Sequence, residues 1–102
     1  MMQILKSNTL EKMISENEEI TIIDVRTDEE VAEGMIQNAH HIDVFNPEFM
    51  DKIEAFDKAK TYVMVCRSGA RSGQACMQMM GAGFENLYNL EGGMMAWQGA
   101  TV

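Results

Sequence analysis

The chain is poor in proline, cysteine and basic residues, and each shortage narrows what it does. One proline in 102 residues leaves no Pro-rich linker, and nothing suggests a disordered tail, an internal repeat or a low-complexity segment. Two cysteines, Cys66 and Cys76, are too few for a disulfide framework, so a reducing compartment, the cytoplasm, is expected. No apolar run is long enough to span a bilayer, and the start, Met1 to Asn8, lacks the apolar centre of a signal peptide. Lysine and arginine number 8 against 16 acidic residues, for a formal net charge of -8. That balance argues against nucleic acid and anionic membranes as partners, because both require a basic face.

What remains suits one folded domain, residues 1–102, with 46% hydrophobic residues and length for a single core but not for two. The acidity is uneven. Residues 1–60 hold 14 acidic and 6 basic side chains, whereas residues 61–102 hold two of each. In that neutral second part, Arg67 and Arg71 supply all the positive charge, a local field suited to a small anion. Most of the acidic residues read as a solvated surface. The 11 methionines fit a core or a docking surface, and the core is expected for most.

Local signals alternate between strand and helix. Met2 to Leu5 is a short edge-strand candidate, and Asn8 caps a helix to about Ser15, with Glu11 three positions on. Ile20 to Val25 is β-branched and apolar for most of its length, as a buried parallel strand is. Thr27-Asp28-Glu29-Glu30 repeats the capping pattern and opens a short helix that Gly34 ends. Ile36 to Val44 is irregular, with a strand around His41-Ile42. Asn46-Pro47 starts a helix to about Ala55 that sets Phe49, Met50, Ile53 and Phe56 on one face. Tyr62 to Val65 is a buried strand and the segment from about Arg71 a helix, stopped at Gly81 to Gly83. Asn86 to Leu90 is a last strand, and Gly92-Gly93 turns into a short helix carrying Trp97. The alternation predicts an α/β domain with a largely parallel sheet, whose ligand site lies at the carboxyl ends of strands.

Cys66 falls at such an end. It opens the loop Cys66-Arg67-Ser68-Gly69-Ala70-Arg71-Ser72 between the strand and the helix. A strand, a tight loop of small residues and a helix aim backbone N–H groups and a helix N-terminus into one small volume, which favours an anion. A cysteine at its edge is stabilised as thiolate.

This loop resembles the active-site loop of the rhodanese (sulfurtransferase) family, and the resemblance spans roughly residues 20–98. Asp24-Val25-Arg26 matches the family's Asp-x-Arg, and Glu30 and Gly34-Met35-Ile36 match the next part except that Met35 replaces histidine. Ala39 and Ile42 fit, Asn38 stands where glycine is usual, and His41 and Asp43 replace asparagine and proline. Gly83-Phe84, the strand near Tyr88, and Leu90-Glu91-Gly92-Gly93 with Trp97 complete the signature. The resemblance implies a rhodanese-like five-stranded, mostly parallel sheet with helices on both faces. It also implies double displacement. Cys66 takes a sulfane sulfur from a small anionic donor such as thiosulfate, becomes a persulfide, and passes the sulfur to cyanide, a thiol or a protein acceptor.

On this reading Cys66 is the nucleophile and Arg67, Ser68, Gly69, Ala70, Arg71 and Ser72 form the substrate and persulfide cradle. Arg71 orients the loop or meets the donor, and Arg67 faces the entrance. Asp24 and Arg26 are supporting residues, read as a structural ion pair. Cys76 reads as a small buried hydrophobe rather than a resolving thiol, His40-His41 as a solvated pair, and Trp97 as core. Met94-Met95 either lines the mouth of the site or packs in the core. No cofactor is required, and no metal is expected, since the cysteines and His40-His41 lack a ligand spacing. Two alternatives stand beside the enzyme: a persulfide carrier that accepts sulfur from a partner protein, and a phosphatase or arsenate reductase of the same fold. Four residues separate Cys66 from Arg71, whereas the related phosphatases have five, a wider ring for phosphate.

Overall fold

A computed structural model describes residues 2–102. Its centre is the strand Thr61–Val65 (β4), whose side chains alternate between two buried layers. Tyr62 and Met64 face one layer and Val63 and Val65 the other, as the two-residue period of a strand requires. Four other strands assemble around it: Met2–Leu5 (β1), Thr21–Asp24 (β2), His40–His41 (β3) and Asn86–Leu90 (β5). The sheet runs β1-β5-β4-β2-β3, and every pairing is parallel. Asp24 lies beside Val65 in the register. The carboxyl ends of β2 and β4 therefore finish side by side, with Arg26 two residues past the first and Cys66 directly after the second.

Helices cover both faces. Phe49–Ile53 (α3) and Ala70–Gly81 (α4) bury Phe49, Ile53, Ala75, Cys76 and Met79 with Ile23, Met64 and Leu87 on one face. On the other face Leu10 of Ser7–Ser15 (α1) meets Leu5, Ile22, Ile36, Val63, Val65 and Leu90, with Trp97 packed against them. Burying such a leucine fully is worth roughly 1.5–3 kcal/mol. Met64 and Met79 are buried and Met2, Met13, Met50 and Met94 pack against the two clusters, whereas Met77, Met80 and Met95 face solvent.

Several boundaries differ from the sequence reading for local reasons. α1 starts at Ser7 rather than after an Asn8 cap. Lys6 is the residue before the helix, and the Ser7 hydroxyl accepts the Gln98 N–H at 3.0 Å, pinning the C-terminal segment to this helix. Asn46 does cap a turn, its Oδ1 accepting the Glu48 N–H at 2.8 Å, but α3 itself begins at Phe49 and ends at Ile53. The third strand is His40–His41, one residue earlier than expected. The His40-His41 pair is not solvated throughout: His41 is half-buried with Nε2 2.7 Å from the Arg26 carbonyl oxygen. The final helix is a single 3₁₀ turn, Gly93–Ala96, and Trp97 lies just past its end.

The capping box is present as read. Thr27 precedes Asp28–Val31 (α2), its Oγ1 accepts the Glu30 N–H at 3.3 Å, and the Glu30 carboxylate accepts the Thr27 N–H at 3.0 Å. Asn38, in place of the usual glycine, holds φ at 68°. Asparagine is among the few residues that accept this left-handed backbone, so the substitution keeps the local turn.

Candidate active site

The site begins where β4 runs out. Val65 ends the strand, Gly69 takes φ 103°, and α4 starts at Ala70. Glycine is suited to that conformation, which other residues adopt only under strain. The chain thereby folds back on Cys66. The Gly69 N–H donates to Cys66 Sγ at 3.0 Å and the Ser72 Oγ lies 3.3 Å from the same sulfur. Cys66 and Ser72 have no exposed surface, whereas Arg67, Ser68 and Ala70 are exposed.

Two opposed effects set the ionisation of Cys66. Burial pushes the thiol up. The Ser72 side chain and the backbone N–H groups of Ser72, Gly69 and Ser68 act against it and win, so the net shift is downward. Cys76 shows burial without those donors: its thiol is pushed up to about 12. The two cysteines share one apolar cluster, and the loop's donors reach Cys66.

A second layer holds the loop. Glu91 N–H donates to the Leu5 carbonyl, and the turn after β5 donates Met94 N–H to the Cys66 carbonyl at 2.9 Å and Met95 N–H to the Arg67 carbonyl at 3.0 Å. Gly93 sits so close beneath that a Cβ there would collide with both carbonyl groups. Asn89 of β5, buried, donates its Nδ2 to the Gly69 carbonyl at 2.9 Å and places Oδ1 2.5 Å from Ser72 Oγ.

The arginines divide. Arg71 points to α2, where Nη1 and Nη2 donate to the two oxygens of Glu30 at 2.8 Å each, and its guanidinium lies 5.9 Å from the Phe45 ring centroid. Arg71 hydrogen bonds hold the Glu30 carboxyl down at about 2. Arg67 is exposed and lines a recess of about 210 Å³ with Arg26, Glu30, Glu33, Met94 and Met95. Met95 is exposed at this mouth, and Met94 lines it while also packing on the core. Asp24 and Arg26 form a buried ion pair, with Nη2 to Oδ2 at 2.8 Å, and Arg26 also donates to the Gly34 carbonyl at 2.7 Å. That bond ties the end of β2 to the end of the α2 turn.

Asn89 escaped the sequence reading, as did the hold of Glu30 on Arg71. A signal for the first was present: Asn89 is a polar residue of low strand propensity set between Tyr88 and Leu90 near the end of the last strand. Glu30 was visible as a helix cap and as a match to the family pattern, but its distance in sequence from Arg71 hid the pairing.

The rhodanese-like domain family model matches residues 7–100. The protein YtwF of Bacillus subtilis is 48% identical over 97 residues, covering 95% of this chain and 91% of that one. A protein of Allochromatium vinosum named sulfurtransferase is 37% identical over 98 residues, covering 95% and 89%. Among solved structures, a rhodanese-like domain protein of Staphylococcus aureus superposes with a TM-score of 0.84 at 35% identity, covering 93% and 90%. With the parallel sheet and the amide-lined cysteine loop, these matches show that the chain belongs to the rhodanese-like domain family.

Proposed function

We propose that the protein is a sulfurtransferase that carries sulfane sulfur as a persulfide on Cys66. The observation supporting this most directly is a buried cysteine whose sulfur accepts hydrogen bonds from the Gly69 N–H and the Ser72 side chain. Relatives named sulfurtransferase support the reaction class. Thiosulfate as donor is our reading of what that loop fits.

In the first step the Cys66 thiolate attacks the outer sulfur of thiosulfate. A Cys66–sulfur bond forms, the sulfur–sulfur bond of thiosulfate breaks, and sulfite leaves with the electron pair. The persulfide's outer sulfur carries the negative charge, and preorganised amide donors stabilise it as they would an oxyanion. In the second step a thiolate or cyanide attacks that outer sulfur and Cys66 leaves as thiolate. No proton moves in either step, so no general base is required. Arg67, the exposed cation at the mouth, receives the anionic donor, and Arg71 with Glu30 fixes the start of α4.

The same pairing disfavours phosphate chemistry. An arginine whose two terminal nitrogens already share a carboxylate has few donors left for a phosphate over the loop. The expected setting is the cytoplasm, with a small anionic donor and a thiol or protein acceptor as partners. Among the described residues, no helix is long and apolar enough to cross a membrane.

The test is thiosulfate:cyanide turnover with Cys66→Ser as control. Turnover by the unaltered protein that the substitution abolishes supports the enzyme. Absence of turnover, with sulfur accepted only from a partner protein, supports a carrier. Release of phosphate from an aryl phosphate with none from thiosulfate overturns the proposal.

A further inference from the structure

The Ser72 hydroxyl has two acceptors and one hydrogen. Its Oγ lies 3.3 Å from Cys66 Sγ and 2.5 Å from Asn89 Oδ1. The orientation of the Asn89 amide is fixed by its other end. Nδ2 lies 2.9 Å from the Gly69 carbonyl oxygen, so reversing the amide would set two oxygens against each other there. Oδ1 therefore faces Ser72, and an amide oxygen only accepts. All three residues are buried. Whichever acceptor loses the hydrogen is left facing a lone pair in a dry site, which is costly.

We propose that Asn89 is a positioning residue that competes with Cys66 for the single Ser72 hydrogen, and so favours the sulfur-loaded cysteine over the bare thiolate. In the bare enzyme the charge sits on Sγ, which draws the Ser72 hydrogen away from Asn89. Once sulfur is loaded, the charge moves to the outer sulfur, facing the loop amides. Sγ becomes a neutral, divalent sulfur and a weak acceptor. The Ser72 hydrogen then returns to Asn89, and every buried polar atom of the trio is satisfied. No covalent bond changes in this exchange beyond those of sulfur transfer itself.

The remaining groups around the cysteine do not perform this exchange. Arg71 is committed to Glu30 through both terminal nitrogens. Cys76, pushed up to about 12, stays protonated through the range in which Cys66 titrates.

The loading arm of this inference rests on the sulfurtransferase reading; the hydrogen-sharing arm does not. The hydrogen-sharing arm is tested by ultraviolet titration of the Cys66 thiolate in the unaltered protein, Asn89→Ala, Asn89→Leu, Ser72→Ala and the two double variants, with circular dichroism confirming the fold. Removing the rival acceptor is expected to lower the Cys66 midpoint by about one pH unit, tenfold in ionisation constant. That lowering is expected to vanish in the Ser72→Ala background. A midpoint that rises or stays in both Asn89 variants, or falls equally without Ser72, overturns the inference. The loading arm is the fraction of persulfide by intact mass at a fixed thiosulfate-to-sulfite ratio. It is expected to drop in the Asn89 variants, and unchanged loading with a lowered midpoint overturns the functional half alone. If the unaltered protein takes no sulfur from thiosulfate, the sulfurtransferase reading fails, and with it the functional half, while the titration still decides the hydrogen sharing.

Discussion

Glu30 and Arg71 meet through two parallel hydrogen bonds of 2.8 Å, although 41 positions separate them in the chain. The Glu30 carboxylate also closes the cap of α2 through Thr27, so one side chain locks the first turn of α2 to the start of α4.

This pairing predicts an acid-sensitive contribution to stability. Glu30 is lowered from 4.5 to about 2 in the fold. A depressed carboxyl contributes stability that is complete above its unfolded value and is lost as pH falls through the folded one. Glu30→Gln preserves the cap, because glutamine also serves there, but breaks one bond to Arg71. The variant is expected to be less stable by about 1–2 kcal/mol at neutral pH, since the pair is only partly exposed. Urea unfolding at several pH values checks this: the gap should shrink steadily between about pH 4.5 and pH 2. A gap independent of pH would contradict the assignment.

Two glycines of the site predict different costs. Gly69 and Gly93 both hold positive φ, 103° and 56°. Around Gly69 a Cβ finds its nearest atoms at 3.6 Å or beyond, so Gly69→Ala suffers mainly backbone strain, about 1–3 kcal/mol. At Gly93 the new Cβ would overlap the carbonyl groups of Cys66 and Arg67, which accept the Met94 and Met95 N–H groups. Gly93→Ala is expected to cost more than about 3 kcal/mol and to abolish activity, because overpacking adds to the strain. Denaturant unfolding alongside turnover separates the two, and equal losses would show that the turn beneath the loop is slack.

The burial of Cys66 predicts selectivity by reagent size. Its sulfur is activated by hydrogen bonds but the residue has no exposed surface. A small methanethiosulfonate is expected to modify it rapidly below the usual thiol range of pH, and a bulky maleimide at least tenfold more slowly. Comparable rates, measured by stopped-flow or mass spectrometry, would mean that the loop opens freely.

Much of this arrangement was legible in the residues. The strand-loop-helix around Cys66, the capping box at Thr27 and the alternation of strands and helices are local patterns, written within a few positions of each other. The buried side chains of β2 and β4 announced a parallel sheet with both faces covered. What stayed hidden is long-range. Nothing near Ser72 in the chain points to Asn89, and nothing near Gly93 shows that a carbonyl of the loop rests on it. Element ends moved for the same reason, as when the Ser7 hydroxyl accepts the Gln98 N–H and α1 starts two residues early.

Intact and fragment mass measurement after incubation with thiosulfate tests the sulfur-carrying role of Cys66 most directly. The account predicts one added sulfur atom located on Cys66, removed by cyanide and absent from Cys66→Ser. A protein that keeps its original mass while Cys66 remains open to a small thiol reagent would contradict it.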